Sequence, residues 1–468
     1  MTIRQGRADT DVCAVFGMEI KMKSQVKDMT QGNPTGLLLS FMLPLVVGNI
    51  FQQFYNMVDS MIVGKYVGSD ALAAVGATGS LNFLIFSLGG GMANGVGVII
   101  SQYFGAGKEN DVRKAIGNAV YIMAVCSLLM GGLGFFLARP ILAFLNTPEN
   151  ILDTSAMYMK IMCAGVFAVV LYNCVAAILR AVGDSKTPLY FLIVSSLLNI
   201  ALDILFVRVF KMGVAGAGIA TIIAQFLSGV GSLCFALITN PYFKLKKANM
   251  EPDWKIIAQS VRIGCPLAFQ SSLIAVSCVV LQSVVNTFGS VVVAAFTATS
   301  RIEQLVQQPY NSLGMAMSTY AGQNIGAGKV DRVRKGFYRA CMLMLGFSLL
   351  MIPVMQFGGN AIMRLFVNET EVIELGTYAL KITSWFYIFL GSIYVCRGLL
   401  NGAGDAAFSF INGIMEMVGR ICFAKPLTMI PAIGVWGVWY ATGLTWALVG
   451  SVSVFRYLQG KWCRRMIQ

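Results

Sequence analysis

Apolar residues fall in long runs, each closed by a short polar stretch, from about residue 37 to residue 457. Runs of about 20 residues can each cross a bilayer core of about 30 Å as a helix. Twelve such spans are predicted. In the first half they cover 37–63, 76–101, 115–138, 157–179, 188–210 and 213–239; in the second, 256–286, 291–322, 337–358, 378–400, 408–430 and 434–457. Between the two sets lies a segment, 240–255, whose Pro241, Pro252, charges and lack of apolar periodicity mark a boundary. The expected fold is an all-α polytopic membrane protein: a tail at 1–36, a six-helix lobe at 37–239, the linker, a second six-helix lobe at 256–457 and a tail at 458–468.

The two halves repeat one another. Gly68 to Lys114 aligns without a gap onto Gly289 to Lys335, and 15 of the 47 positions are identical. Gly105-Ala106-Gly107-Lys108 recurs as Gly326-Ala327-Gly328-Lys329, and Val112-Arg113-Lys114 as Val333-Arg334-Lys335. The same offset of 221 carries Gly183-Asp184 onto Gly404-Asp405, and Gly213-Val214 onto Gly434-Val435; a one-residue slip brings Pro44 onto Pro266. A duplication with an even span count places two similar lobes side by side, the plan on which many transporters build a central pathway.

Composition agrees. The chain is 57% hydrophobic and 12% charged, where a soluble protein carries about 25% charge. Mean hydropathy is +0.71. The net charge of +14 raises nucleic acid as a partner, but its placement argues for a membrane. With the amino terminus inside, the inner segments hold 25 Lys and Arg and the outer loops 6, the positive-inside bias. Both termini and the linker are therefore expected in the cytoplasm, in a cell (inner) membrane. The first 36 residues lack the apolar core of a cleavable signal peptide. They are expected to form a disordered tail in which Met18, Met22 and Met29 are alternative starts.

Eleven cysteines are scattered without a Cys-x-x-Cys, and there is no histidine. A disulfide framework, a zinc site and haem attachment are all poorly supported, so no cofactor is expected and proton handling falls to carboxylates. The stretch Gly105-Ala106-Gly107-Lys108-Glu109 fails as a phosphate loop, lacking Gly at Gln102 and Ser or Thr after the Lys; a Gly-rich turn is the expectation. Gly91-x-x-x-Gly95 lies within a span and suits close helix packing.

Ionisable groups inside apolar spans are costly and point to an interior site. Six qualify: Asp59, Asp203, Arg301, Glu303, Glu416 and Arg420. At a rise of about 1.5 Å per residue, Asp59, Asp203 and Thr221 lie at similar depth below the outer surface. Asn199 is one turn before Asp203 on the same face. Together they make an oxygen cage suited to a proton or a small hard cation such as Na⁺. The alternative is a set of separate interhelical hydrogen bonds. The repeat favours the cage: Asp203 maps onto Ala424, Asn199 onto Arg420, and Asp59 near Val280 or Leu281, so the cluster is not duplicated. Glu303 and Arg420 lie near the midplane of the second lobe. They are expected to pair across the eighth and eleventh helices, with Glu416, four residues before Arg420, as a second partner. That charged cluster is either structural or substrate-facing. Some of the Phe and Met is expected to line a pocket for apolar ligands.

A set of motifs runs along the chain: Leu43-Pro44, Gly48-Asn49-Ile50-Phe51-Gln52-Gln53, Tyr55-Asn56-Met57-Val58-Asp59, Val63-Gly64-Lys65-Tyr66-Val67-Gly68, Gln102-Tyr103-Phe104-Gly105-Ala106-Gly107 and Arg180-Ala181-Val182-Gly183-Asp184. On these the chain resembles the multidrug and toxic compound extrusion (MATE) family, in its bacterial DinF-like and MepA-like branch. The resemblance covers nearly the whole chain from Asp28. It implies a two-lobed bundle of twelve helices that exports amphipathic, often cationic compounds in exchange for H⁺ or Na⁺, with no nucleic-acid partner and as a monomer among membrane lipids. It also implies an acidic site in the first lobe, whose elements fall on Asp59, Asn199, Asp203 and Thr221. Another branch of the family carries a coupling carboxylate on the seventh helix; the stretch from Pro266 to Ser272 and the rest of that span contain no acid. A lipid-linked oligosaccharide flippase would favour a more cationic cavity and often extra spans. A membrane enzyme acting on lipid-linked substrates would need polar catalytic residues in a sizeable loop, and a passive channel would not need a one-sided carboxylate site.

Overall fold

The computed structural model describes residues 25–145 and 147–464. The expectations for residues 1–24, the Met18 and Met22 starts among them, and for 465–468 lie outside the described residues. The first half comprises α1 (Pro34–Tyr66), α2 (Ser69–Gly105), α3 (Glu109–Phe144), α4 (Glu149–Ala164), α5 (Val166–Ala181), α6 (Lys186–Asp203) and α7 (Gly213–Thr239). The second comprises α8 (Trp254–Val285), α9 (Ser290–Gly326), α10 (Val330–Met363), α11 (Thr370–Ser384), α12 (Tyr387–Gly402), α13 (Ala406–Met429) and α14 (Gly437–Leu458).

Nine of these are long and apolar enough to cross a membrane singly. The pairs α4–α5 and α11–α12 each make one further passage, bent by 46° and 54°. Helix α9 is 37 residues long but more polar, and it completes twelve passages. The expected spans at 157–179 and 378–400 are thus each two helices. Their breaks, at Gly165 and at Trp385-Phe386, fall at the same place in both repeats.

Local chemistry sets several ends. The Asn33 side chain accepts from the Thr35 N–H at 3.0 Å with Pro34 at the first helical position of α1, a favourable start. After Asp203 the α-helical pattern of α6 loosens into a π-helical segment, Ile204–Val209. Such segments often mark functional sites.

The lobes are joined at the end that bears the termini. Gln102 donates to the Gly402 carbonyl at 2.8 Å, and Gln323 to the Ala181 carbonyl at 2.9 Å. Both donor and acceptor are related by the 221-residue offset, so this is one hydrogen bond made twice about a pseudo-twofold. Gly105 and Gly326 allow it. A Cβ on Gly105 would lie 1.8 Å from the Gln323 carbonyl oxygen, and one on Gly326 1.9 Å from that of Gln102. The repeated Gly-Ala-Gly-Lys motif is a turn, as expected, and its first glycine is also the lobe seam. Gly91 and Gly95 pack α2 directly on the backbone of Ala268 and Gly264 in α8, the close approach that small residues permit.

At the opposite end each lobe has its own apolar cluster. One contains Ile62, Val63, Tyr158, Met162 and Val207; the other contains Leu281, Val285, Val292, Ala379 and Trp439. The two share no residue, whereas the paired interlobe bonds lie at the end that bears the termini.

The expected disordered tail is corrected for residues 25–36. Lys27 N–H donates to the Val182 carbonyl of the first lobe. Met29 is fully buried, its N–H donating to Gln323 Oε1 at 2.8 Å. Its carbonyl accepts from Asn324 and Arg332 of the second lobe. Lys329 and Arg332 also donate to the Thr30 and Gly32 carbonyls at 3.0 and 2.7 Å, so a buried side chain and several satisfied backbone groups together order the segment across the seam.

Candidate functional site

Asp59 on α1 and Asp203 on α6 bring their carboxyl groups into direct interaction. Asp203 is fully buried and Asp59 half-buried. No Lys or Arg among the described residues forms an ion pair with either. Asp59 Oδ1 and both Asp203 oxygens lack a hydrogen-bond donor. Two acceptors therefore face each other, and only an added proton or cation can bridge them. Asn199, one turn before Asp203, donates from Nδ2 to Thr221 Oγ1 at 3.4 Å, while its Oδ1 is unsatisfied. The Thr221 hydroxyl donates to the Ala217 carbonyl at 3.1 Å. The structure brings all four expected residues together from α1, α6 and α7. Tyr55 and Tyr158 also face the acidic pair, Tyr55 held by Gln225. Carboxyl, amide and hydroxyl oxygens with several acceptors unsatisfied suit H⁺ or a hard monovalent cation.

The second-lobe cluster differs from its expected pairing. Arg420 Nη2 is 3.0 Å from Glu416 Oε1, and its Nη1 is 2.7 Å from Cys278 Sγ. Glu303 forms no ion pair with Arg420. Its side chain bonds to Thr383, it feels Arg420 only through the field, and its Oε1 has no partner. The i,i+4 geometry of Glu416 on the same helix wins because it needs no interhelical approach. Arg301 is exposed on α9. A cavity of about 340 Å³ is lined by Glu303, Glu416, Arg420, Tyr394, Arg397 and Trp439, among others.

The profile of the MatE family matches residues 44–205 and 266–424, one match per repeat. The chain belongs to the MatE family. It is 29% identical to the probable multidrug resistance protein YpnP of Bacillus subtilis over 93% of this chain and 97% of that one. It is 23% identical to the probable multidrug resistance protein NorM of Thermotoga maritima, over 92% and 93%. A MOP superfamily transporter from Pyrococcus furiosus superposes with a TM-score of 0.85 at 22% identity, over 96% of this chain and 100% of that one; this likeness shows the twelve-helix fold. As a MatE member this is a multi-pass membrane protein.

Sequence reasoning missed two residues. Arg180 and Arg397 count as loop charges in the inner total of 25, but they lie within α5 and α12 and face a cavity between the lobes. Their signal was available: Arg180 directly follows the expected span 157–179, and Arg397 lies inside 378–400, three residues before its end.

Proposed function

We propose that this MatE protein is a cation-coupled antiporter that exports amphipathic organic compounds by alternating access, with H⁺ or Na⁺ binding at Asp59, Asn199, Asp203 and Thr221. The supporting observation is the pair of neighbouring carboxyl groups with no base to neutralise them. Adjacent carboxylates in low dielectric resist double ionisation, so the pair takes up a cation when it is offered. Membership of a family whose named relatives are multidrug resistance proteins supports the direction and the cargo. The end bearing the termini, where the lobes are bonded, is cytoplasmic by the charge bias, so in this reading the cleft parts on the outer side. A cation entering from outside neutralises the pair, α1 repacks against α6, and substrate leaves. Rocking at the seam then returns the cleft to the cytoplasm. The protein acts as a transporter, without a resident cofactor, and as a monomer.

The test uses purified protein in liposomes carrying an imposed H⁺ or Na⁺ gradient, with ethidium and 8-anilinonaphthalene-1-sulfonate as separate dyes. The reading requires that one gradient drive one dye uphill. Movement of neither dye under either gradient, by protein that is folded and inserted, would refute it.

A further inference from the structure

A cavity of about 370 Å³ lies between the lobes, immediately beyond the seam. Helices α2, α5, α8, α9 and α12 line it. Its floor is Ser101, Ala181 and Asn401, each next to or part of the Gln102–Gly402 and Gln323–Ala181 bonds. The volume falls in the range of small-molecule pockets, roughly 300–1,000 Å³.

Its chemistry is one-sided. Arg180 and Arg397 are its charged lining residues, and the lining contains no Asp or Glu. The remaining polar groups are neutral hydroxyls and amides, including Asn94, Asn311 and Asn401. Arg180 has no ion-pair partner among the described residues. Arg397 has half a partner: its Nη2 is 3.8 Å from Glu416 Oε2, while Arg420 holds the other oxygen of the same carboxylate at 3.0 Å. Two arginines thus share one acid. With the Gln270 amide oxygen turned toward the guanidinium, that oxygen lies 2.7 Å from Arg397 Nε. Arg397 also lines the second-lobe cavity, so the two spaces meet at this residue.

An uncompensated guanidinium away from bulk water is expensive, and guanidinium forks match carboxylate, sulfonate and phosphate oxygens. We infer that this cavity binds the anionic group of an amphipathic ligand, with Arg180 of the first lobe and Arg397 of the second reaching it from opposite sides. Phe83, Leu267 and Met315, in the same lining, cover the apolar part. A ligand held by one arginine from each lobe bridges the surfaces that must separate when the seam opens. The substrate class is therefore anionic or zwitterionic, in contrast to the cationic compounds implied by the family resemblance. The ligand is a soluble organic anion or a lipid headgroup; the chemistry is shared. The inference rests on the reading of the cleft as the substrate path.

The experiment measures equilibrium dye binding to the protein in phosphatidylcholine nanodiscs, with empty discs subtracted. The probes are 8-anilinonaphthalene-1-sulfonate and its uncharged relative N-phenyl-1-naphthylamine, which lacks the sulfonate. Wild type should bind the sulfonate more tightly. Arg180→Gln and Arg397→Gln should each weaken it by about tenfold or more, the worth of a charge-assisted hydrogen bond, and leave the neutral dye unchanged. Arg180→Lys should recover part of the loss, which separates charge from folding. Nanodiscs containing phosphatidylglycerol identify the source: competition that depends on both arginines indicates a lipid headgroup, and no competition a soluble anion. Sulfonate affinity unaffected by both Gln variants would overturn the inference. So would equal loss of both dyes with no Lys rescue. Failure of gradient-driven transport with arginine-dependent binding intact would count against the export reading and leave the anion site standing.

Discussion

Gly105→Ala adds one methyl group at the tightest contact between the lobes. The new Cβ would start 1.8 Å from the Gln323 carbonyl oxygen, where real Cβ contacts are essentially never under 3.0 Å. The neighbour is backbone, so relief requires a separation of about 1.2 Å, the difference between those two distances. The Gln102–Gly402 and Gln323–Ala181 bonds, 2.8 and 2.9 Å long, flank the clash and would stretch beyond hydrogen-bonding range. Leaving a buried polar group unsatisfied costs about 1–3 kcal/mol, so two such bonds lose about 2–6 kcal/mol of seam closure. Even the lower figure shifts the open-to-closed ratio by a factor of about 30. Without the clash, Gly→Ala at a helical position would be neutral or stabilising, so the sign is diagnostic. Pulsed electron-spin distance measurements in a cysteine-free background would read it, with labels at the exposed pairs Glu109 with Asp331 and Ser69 with Ser290. The first distance should lengthen and the second shorten. Unchanged distributions for both pairs in folded Gly105→Ala protein would refute the seam as the closing contact.

Met29→Ala empties a fully buried site and should cost about 2–5 kcal/mol; a lowered melting temperature together with a longer Glu109–Asp331 distance would show that the segment latches both lobes. Arg420→Leu breaks the buried pair with Glu416 and should cost about 3–5 kcal/mol, read as a lower melting temperature. Adding Glu416→Gln should return part of it, whereas Glu303→Gln, which breaks no ion pair, should be milder. A cysteine at Lys461, exposed beyond α14, should be labelled only by reagent reaching the cytoplasmic face; labelling from outside would reverse the topology.

The spans and their duplication were legible because lipid imposes a simple rule: long apolar helices, and little else, can cross it. The grouping of Asp59, Asn199, Asp203 and Thr221 was legible for a related reason. Depth follows from the helix rise, and a cost that only one copy bears stands out against the other. The bends at Gly165 and Trp385-Phe386 were not legible, since neither break carries a proline or a charged residue to mark it. Nor was the ordering of Met29, which depends on Gln323 and Asn324 nearly 300 residues away. Glu303 and Arg420 face one cavity, as their equal depth suggested, but form no ion pair, because depth alone does not bring two side chains on different helices to contact distance. Arg180 falls among the loop charges because a span end inferred from apolarity stops one residue before it, where α5 runs on; Arg397 lies inside the expected 378–400 span and falls among them only because it is close to that span's inner end.

Coupling at the acidic pair is tested most directly by comparing two modes of transport in the same liposomes. Asp203→Asn and Asp59→Asn remove the ionisable groups while keeping side-chain size. With the dye that wild type moves, each variant should lose gradient-driven accumulation and keep dye-for-dye exchange in the absence of a gradient. Asn199→Ala and Thr221→Ala should only weaken coupling, since each removes a neutral ligand. Full gradient-driven transport by Asp203→Asn would contradict the assignment.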